Sequence, residues 1–300
     1  MVVVKSIKCV VEDNMKNTIK RVIAADNYVR GFFAYTTEMA KKAAKKHGLS
    51  IVPAAALGRL LTAASMMGIM MKNKNDKCSI IVEGDGPMKG LCVTSDVNGM
   101  VKGYVYNNDF EQYAKADGHL DIGGAIGNGK LTVIKDTGSR EPYNSTVPLV
   151  TGELGEDLTY YFATSEQTPT SVGLGVLFDK NTANIIQAGG FIVQVMPNTP
   201  DEVIDKLSKN IENIKSVTEY LSESNSCDKL MEAVLDGFDY KVTDETEVGF
   251  YCNCSKNYII NQLKGLPKNQ LIEIFKDTNT IEINCHMCSS KYKINKEDIL

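Results

Sequence analysis

The feature that most constrains this chain is the crowding of cysteines near its C-terminus. Four of the eight cysteines lie in the last fifty residues, as two close pairs. Cys252 and Cys254 are separated by one residue, Cys285 and Cys288 by two, and 30 residues lie between the pairs. Close pairs at this spacing are typical of metal or thiol chemistry. Three possibilities are open: a structural zinc site, a thiol redox site, or a site that is first one and then the other.

The expected compartment decides between metal sites and permanent disulfides. The N-terminal stretch MVVVKSIKCVVEDNMKN lacks the apolar core of a signal peptide. The most apolar run, residues 51–72, is interrupted by Arg59 and rich in alanine, which is typical of a buried helix rather than a membrane span. We therefore expect a cytoplasmic protein with no membrane partner, in which paired cysteines serve metal binding or redox chemistry.

The other cysteines stand alone in the sequence: Cys9, Cys78, Cys92 and Cys227. The first three lie in apolar or strand-like settings, where we expect small buried side chains. The formal net charge of −4 gives no general attraction to nucleic acid, so no nucleic-acid partner is expected. Three histidines with no Ser/His/Asp or paired-carboxylate pattern indicate that the protein is not an enzyme.

Residues 1–199 alternate between strand and helix signals and predict an α+β domain with mostly antiparallel sheets. A first strand is expected at residues 6–13. The stretch TTEMAKKAAKKHG predicts a helix that stops at Gly48, and Pro53 is expected to begin a long helix that ends near Lys74. Asn98-Gly99, between two alternating runs, predicts a hairpin. Further strands are expected in CSIIVEGDGP, KLTVIKD, SVGLGVLFDK and ANIIQAGGFIVQVMP.

Residues 200–249 predict a helical, acidic and metastable linker. Apolar residues recur at helical spacing and predict one helix face: Val203, Leu207, Ile211, Ile214, Val217 and Leu221. Residues 222–249 carry eight acidic residues and two lysines, a local charge of −6. A short helix is expected around CDKLMEAVLDG, in a segment poor in core-forming residues that repels itself.

Residues 250–300 predict a small cysteine domain. Two helices are expected, in KNYIINQLKG and KNQLIEIFKD, and a strand in TIEIN. The expected core is modest: Ile259, Ile260, Leu263, Leu271, Ile274 and Ile281. A core of this size is not secure alone, so a bound metal would supply much of the folding energy.

Zinc is the metal that this cysteine pattern indicates. A structural zinc ion takes four ligands in a tetrahedron and prefers thiolates, which Cys252, Cys254, Cys285 and Cys288 can supply. His286 lies inside the second pair and is expected to be an exposed spacer, since four cysteines already complete the tetrahedron. The tight Cys-x-Cys pair can also form a strained disulfide once the metal is gone, and strained disulfides are the labile, regulatory ones.

These residues resemble a known family: the redox-regulated holdase chaperones of bacteria, the thirty-three-kilodalton chaperonins. The resemblance includes both cysteine pairs and their spacing, with Ser255 after the first pair and Tyr292 after the second. It extends over nearly the entire chain through HGLSIVPAAALGRLLTAASMMG, EGDGPMKGLCVTSDVNGMVKGYV, TSEQTPTSVGLGV and AGGFIVQVMP. Asn257-Tyr258 and Met287 depart from the family pattern without touching a ligand position.

The resemblance implies a heat-shock chaperone that responds to oxidative stress. In the reduced cytoplasm one Zn²⁺ per chain would be held by the four thiolates, and the protein would be inactive. Oxidation would form redox-active disulfides Cys252–Cys254 and Cys285–Cys288 and release the zinc. The cysteine domain and the linker would then unfold, and an active homodimer would bind unfolded or oxidatively damaged client proteins without ATP.

Two other classes of protein have to be weighed against the chaperone. A zinc-ribbon binding module acting in translation or transcription is disfavoured by the acidic charge and the lack of a face rich in lysine and arginine. A thiol oxidoreductase of the thioredoxin type needs a Cys-x-x-Cys at the start of a helix that follows a strand, and that context is not evident here.

Overall fold

The computed structural model describes residues 16–110, 114–115 and 120–299. Cys9 and the strand expected at residues 6–13 lie outside the described residues. The strands are β1 (Thr18–Ala24), β2 (Val29–Tyr35), β3 (Lys77–Gly84), β4 (Gly90–Asp96), β5 (Met100–Val105), β6 (Gly129–Asp136), β7 (Tyr143–Pro148), β8 (Thr170–Phe178), β9 (Ile185–Val195), β10 (Tyr240–Glu247), β11 (Gly249–Phe250), β12 (Thr280–Asn284) and β13 (Lys291–Asn295). The helices are α1 (Thr37–His47), α2 (Ile51–Ile69), α3 (Ile122–Ile126), α4 (Gly155–Thr164), α5 (Asp201–Glu212), α6 (Val217–Ser224), α7 (Asp228–Val234), α8 (Lys256–Lys264) and α9 (Lys268–Ile274).

Two sheets enclose the long helix α2. One has the strand order β10-β1-β2-β9-β8 and the other β11-β5-β4-β3-β6-β7. The named strand pairs are antiparallel except β11 with β5. By length and composition alone α2 could cross a membrane, but 89% of its apolar window is buried inside the fold, where it contacts strands of both sheets. The predicted α+β class with mostly antiparallel sheets is confirmed.

Local signals located several of these elements correctly. Helix α1 ends at Gly48, which adopts the left-handed conformation at φ 60° that glycine tolerates best. Strands β4 and β5 form the hairpin predicted at Asn98-Gly99. The limits predicted for α2 were wrong, because it runs from Ile51 to Ile69. It stops there because the next turn is held by the Asp76 carboxylate, which accepts hydrogen bonds from the backbone of Lys72 and Asn73 at 3.3 and 3.0 Å.

The apolar repeat between Val203 and Leu221 belongs to two helices and not to one. Ser216, the residue before α6, is extended at φ −151°, so the chain leaves the helix between α5 and α6. Both helices pack against α7, but the second also packs on a sheet. Helix α5 packs on α7, whereas α6 packs on β8 and β9 as well as on α7. Equal spacing of apolar residues therefore continued through a break that the sequence did not reveal.

The acidic segment after α6 combines a buried helix with an exposed strand. Leu230, Met231, Val234 and Leu235 are at most 5% exposed, in an apolar cluster that also contains Val22, Phe33, Tyr35, Phe191 and Val193. Strand β10 was not predicted, and seven of its eight residues are exposed. It pairs with the edge of β1, and its attachment is helped by the ion pair between Lys16 and Glu247 at 3.3 Å. The apolar cluster that α7 covers is called the linker cluster: Leu230, Met231, Val234 and Leu235 with Val22, Phe33, Tyr35, Phe191 and Val193.

The C-terminal residues form a small unit with little interior. Helices α8 and α9 and strand β12 occupy the stretches predicted for them, and β12 pairs with β13. Leu271, Phe275 and Ile294 are buried, whereas Ile274 of the predicted core is 39% exposed. The other predicted core residues are only half-buried: Ile259, Ile260, Leu263 and Ile281. Phe250 and Cys288 are also buried but pack in the main core, so the unit has three buried apolar side chains of its own, too few to hold some fifty residues together without another constraint.

Candidate metal centre

The first cysteine pair follows directly from a strand of the larger sheet. Strand β11 pairs in parallel with β5, and the Tyr251 amide extends this pairing by donating to the Val101 carbonyl at 2.8 Å. The ammonium of Lys102 donates to the Asn253 side chain between the two cysteines at 3.0 Å. Ser255 then caps α8 by accepting from the Tyr258 amide at 3.1 Å. The Cys-x-Cys loop is thus fixed at both ends.

The second pair lies in the tight turn between β12 and β13. The Cys285 amide donates to the Ser290 carbonyl at 2.9 Å, and the Ser289 amide donates to the Cys285 carbonyl at 2.7 Å. Ser289 adopts a positive φ of 54°, which lets the chain reverse just after Cys288. This turn directs both sulfurs of the pair toward the first loop.

The four sulfur atoms come together in one cluster. All lie within 4.8 Å of one another, with 3.9 Å between Cys252 and Cys285 and 3.3 Å between Cys254 and Cys288. A tetrahedron with metal–sulfur bonds of about 2.3 Å has edges of about 3.8 Å. The cluster therefore has the dimensions of a tetrahedral four-thiolate site. Within the described residues it is the one group of three or more His, Cys, Asp or Glu side chains that can hold a metal ion.

The electrostatics of the cluster depend strongly on what it binds. Burial raises the pKa of Cys252 to about 12, and burial also raises the pKa of Cys285. Burial disfavours the Cys288 thiolate as well, but hydrogen bonds with the side chain and backbone of Ser290 outweigh it and lower the pKa of Cys288 to about 7. Close thiols resist joint ionisation, so without a cation the cluster would hold at most part of its charge. A divalent ion would supply the charge that four thiolates need.

Of two residues close to the cysteines in sequence, Tyr292 contacts the sulfur cluster and His286 does not. The Tyr292 hydroxyl lies 3.1 Å from the Cys254 sulfur and donates to the Cys254 carbonyl at 3.1 Å. Its hydrogen bond to Cys254 raises the pKa of Tyr292 to about 12, so it stays a neutral donor. His286 is exposed, with its ring centroid 5.8 Å from that of Tyr104, and it is not part of the sulfur cluster. The interpretation of His286 as an exposed spacer agrees with this position.

The second cysteine loop also contacts the N-terminal part of the chain. The Ser289 hydroxyl is hydrogen-bonded to Nδ1 of His47 at 2.7 Å, and the Gly103 amide donates to the Met287 carbonyl at 3.2 Å. Burial lowers the pKa of His47, which keeps the imidazole neutral. Sequence reasoning missed His47, because 242 positions separate it from Ser289 and no local pattern marks it.

The single cysteines take no part in the cluster. Cys78 and Cys227 are fully buried, and burial raises the pKa of each to about 12. Burial also raises the pKa of Cys92, which is half-buried in β4. These thiols are therefore poor nucleophiles near neutral pH. Cys78 is the small buried side chain that was expected, whereas Cys92 is only half-buried.

Comparisons with known proteins agree with this arrangement. The family model described as "Hsp33 protein" matches residues 17–295. The chain belongs to the Hsp33 family. A 33 kDa chaperonin of Agathobacter rectalis is 45% identical over 285 residues, covering 95% of this chain and 99% of that protein. One from Clostridioides difficile is 44% identical over 287 residues, covering 95% and 98%. The crystal structure of the Thermotoga maritima Hsp33 homologue matches with a TM-score of 0.86 at 31% identity, covering 95% of this chain and 96% of that one.

Membership of the Hsp33 family confirms the resemblance found in the sequence. The chain is an Hsp33-type chaperone and not an enzyme, as predicted. For a chaperone of this family, unfolded proteins are the expected class of partner. The four clustered cysteines agree with a metal-binding or redox centre, at the positions where the sequence pattern placed it.

Proposed function

We propose that this Hsp33-type chaperone is a redox-regulated, ATP-independent holdase. In its reduced form it would hold one Zn²⁺ and be inactive. Oxidation would release the metal and expose apolar surface that binds unfolding or oxidatively damaged proteins and prevents their aggregation. The observation that supports this most directly is the cluster of four sulfurs, built from two loops that are distant in sequence and each fixed to the N-terminal sheet.

Zinc is proposed as the ion because the donor set and its dimensions suit it. Cys252, Cys254, Cys285 and Cys288 are all thiols, the donors that tetrahedral zinc prefers in structural sites. The sparse interior of the C-terminal unit supports a structural role, since metal binding would contribute folding energy that three buried apolar side chains cannot. The bound ion would neutralise much of the thiolate charge and join the two loops.

The proposed switch converts the metal ligands into two local disulfides. Cys252 would pair with Cys254, and Cys285 with Cys288, as in the family pattern. Each bridge forms when two thiols give two electrons and two protons to an oxidant such as hydrogen peroxide, which is reduced to water. Each bridge lies inside one loop, so neither replaces the connection between the loops. The C-terminal unit would lose its main constraint and unfold.

The linker is proposed to transmit this change. We divide the chain into a chaperone domain at residues 1–199, a metastable linker at 200–249 and a redox-switch domain at 250–300. Support comes from the way the linker is attached: α7 covers the linker cluster, while β10 adds almost no buried side chain. Release of α7 would expose Val22, Phe33, Tyr35, Phe191 and Val193. These apolar residues would form part of the client surface.

The proposal also includes a location and an assembly state. We propose that the protein works in the cytoplasm, where thiols are kept reduced until stress, and that its active form is a homodimer. Nucleic acid and membranes are not among the proposed partners. The acidic net charge of −4 supports the first exclusion. The burial of α2 supports the second.

One experiment tests the function as a whole. The reduced, metal-loaded full chain is mixed with a heat-denatured client, and aggregation is followed by light scattering with and without peroxide, while a chromophoric chelator reports released zinc. We expect no protection before oxidation, and protection that develops with the release of one zinc per chain. Strong protection by the reduced protein with its zinc retained would contradict the redox switch. Metal analysis that finds no zinc in the reduced protein would contradict the zinc site.

A further inference from the structure

A small cavity beside the sulfur cluster gives one-sided access to the cysteines. Its volume is about 150 Å³, and three of the four clustered cysteines line it: Cys252, Cys254 and Cys288. Cys285 does not line this cavity. Tyr251, Ser290 and Tyr292 form much of the remaining wall. A reagent of a few heavy atoms fits this space, whereas a folded protein or a large peptide does not.

The cavity also has a positive side, which comes from a distant part of the sequence. Lys42 and Lys46 line it from α1, one helical turn apart on the same face. Both side chains are exposed, and among the described ion pairs neither has a carboxylate partner, whereas Lys41 is paired with Glu38 at 2.8 Å. Lys45, on the same helix, instead lines a separate cavity next to the β8–β9 hairpin.

Charge explains why two lysines at this place matter. Four thiolates around one divalent cation carry a net charge of −2, so the centre repels anions that approach its sulfurs. Neutral reagents do not meet this barrier. Two ammonium groups that line the cavity offset this repulsion for anions and leave the approach of neutral molecules unchanged. Lysines in this position therefore favour the approach of anionic reagents to the sulfurs over that of neutral reagents.

We propose that Lys42 and Lys46 form an access site for small anionic electrophiles, in particular anionic peroxides, and direct them to the sulfurs of Cys252, Cys254 and Cys288. This inference rests on the proposed redox switch and adds a preference among oxidants. With peroxymonosulfate, a thiolate attacks the terminal peroxide oxygen, the O–O bond breaks, sulfate leaves and a sulfenic acid forms. A second thiolate attacks the sulfenic sulfur, forms the disulfide and expels hydroxide.

Two alkylating reagents of nearly equal size separate charge from access. Iodoacetate is an anion and iodoacetamide is neutral, and both alkylate thiolates. The reduced, zinc-loaded full chain is treated with each at low ionic strength, and the modification of each cysteine is followed by mass spectrometry together with zinc release. The variant carries Lys42→Gln and Lys46→Gln. Each of the two substitutions is also made singly, and Lys45→Gln is the matched control for the single variants, since it removes one positive charge from the same helix outside the cavity.

We expect the double variant to react more slowly with iodoacetate, by about threefold for each lysine removed, and at the unchanged rate with iodoacetamide. Added salt should slow the reaction of the wild-type protein with iodoacetate toward the rate of the double variant. The first cysteines modified should be those that line the cavity, ahead of Cys285. The Lys45→Gln control should behave like the wild type with both reagents.

Three results would overturn the access site. Equal slowing with both reagents would show that the lysines only support the local structure. Loss of the anion preference in Lys45→Gln would show a general effect of net charge. Initial attack at Cys285 would place the route elsewhere. Oxidation by peroxymonosulfate compared with hydrogen peroxide repeats the test with oxidants, and because none of these readouts is chaperone activity, they stay meaningful if the proposed holdase function fails.

Discussion

The attachment of the linker gives the sharpest test of how the switch would work. Leu235 follows α7 and is 1% exposed, in the linker cluster between the acidic segment and the sheet. Replacing it with alanine removes apolar contacts without changing any cysteine or any charge. If release of α7 is the gate to client binding, the Leu235→Ala variant will bind clients while still reduced and zinc-loaded.

The expected size of the effect follows from what else holds the linker. Truncating a buried leucine costs about 2–5 kcal/mol. Strand β10 cannot compensate, because it is attached mainly by backbone pairing. Its two ion pairs, Lys16–Glu247 at 3.3 Å and Lys20–Glu245 at 4.0 Å, involve exposed glutamates, and such pairs each contribute about 0–1 kcal/mol. Since about 1.4 kcal/mol corresponds to a factor of ten, a loss of about 3 kcal/mol raises the open population about a hundredfold. Local units often open at far lower free energy than the whole protein, so this change can make the open state prominent.

The assay compares Leu235→Ala with Val242→Ala under reducing conditions. Val242 lies in the same acidic segment but is 38% exposed on β10, so its truncation should change stability by less than about 0.5 kcal/mol. Light scattering of a heat-denatured client reports chaperone activity, limited proteolysis reports linker opening, and zinc content confirms an intact metal site. We expect protection and proteolytic cleavage only with Leu235→Ala. A cleavable linker in a variant that stays inactive until oxidation would refute the linker as the gate and locate client binding in the cysteine domain.

Three further outcomes are expected. Cys254→Ser should lose bound zinc and the protease resistance of the C-terminal unit, whereas Cys92→Ser should keep both; metal analysis decides, and full retention in the first variant would contradict the ligand set. Peptide mapping after peroxide should find mainly the two local disulfides, and abundant bridges to Cys227, which is fully buried, would contradict the switch. Burial lowers the pKa of His47 from its usual 6.5, so its contact with the second cysteine loop should be fully stable above pH 6.5 and weaken as the pH falls below that value. Amide hydrogen exchange at Gly103, corrected for intrinsic rates, should show this loss of protection at low pH, and the pH dependence should be absent in His47→Gln. Protection of Gly103 that does not vary with pH in the wild type would refute the role of His47.

The parts of the fold that could be predicted are those set by local chemistry. The cysteine cluster could be predicted because thiols at these spacings have few uses besides metal binding and redox chemistry in a reducing compartment. Helix α1 was delimited by Gly48, and the β4–β5 hairpin by Asn98-Gly99, because few residues tolerate the backbone conformations needed there. In each case the residues that dictate the structure are adjacent to it in sequence.

The parts that were missed depend on partners far away in sequence. Strand β10 has no apolar alternation, and it forms because the edge of β1 offers backbone donors and acceptors to an otherwise solvated segment. The break between α5 and α6 is set by the different surfaces on which the two helices pack. His47, Lys42 and Lys46 reach the cysteine cluster only because β11 pairs with β5 beside α1. No periodicity within the sequence carries that information.

The path between the cysteine cluster and the acidic segment is short. Strand β10 ends at Glu247, β11 at Phe250, and Cys252 is only two residues further on. Val248 anchors the connection, since it is buried and its amide donates to the Asn17 carbonyl at 3.0 Å. While the two cysteine loops are held together, β10 is held at both ends: by α7 before it and by the cysteine cluster after it. Once the cluster opens, we infer that the C-terminal end of β10 keeps the anchor at Val248, its backbone pairing with β1 and its ion pairs with Lys16 and Lys20. Oxidation of the cysteines would thus weaken the attachment of the acidic segment at the end opposite α7. The linker would then open because it has lost this attachment and because its acidic residues repel one another.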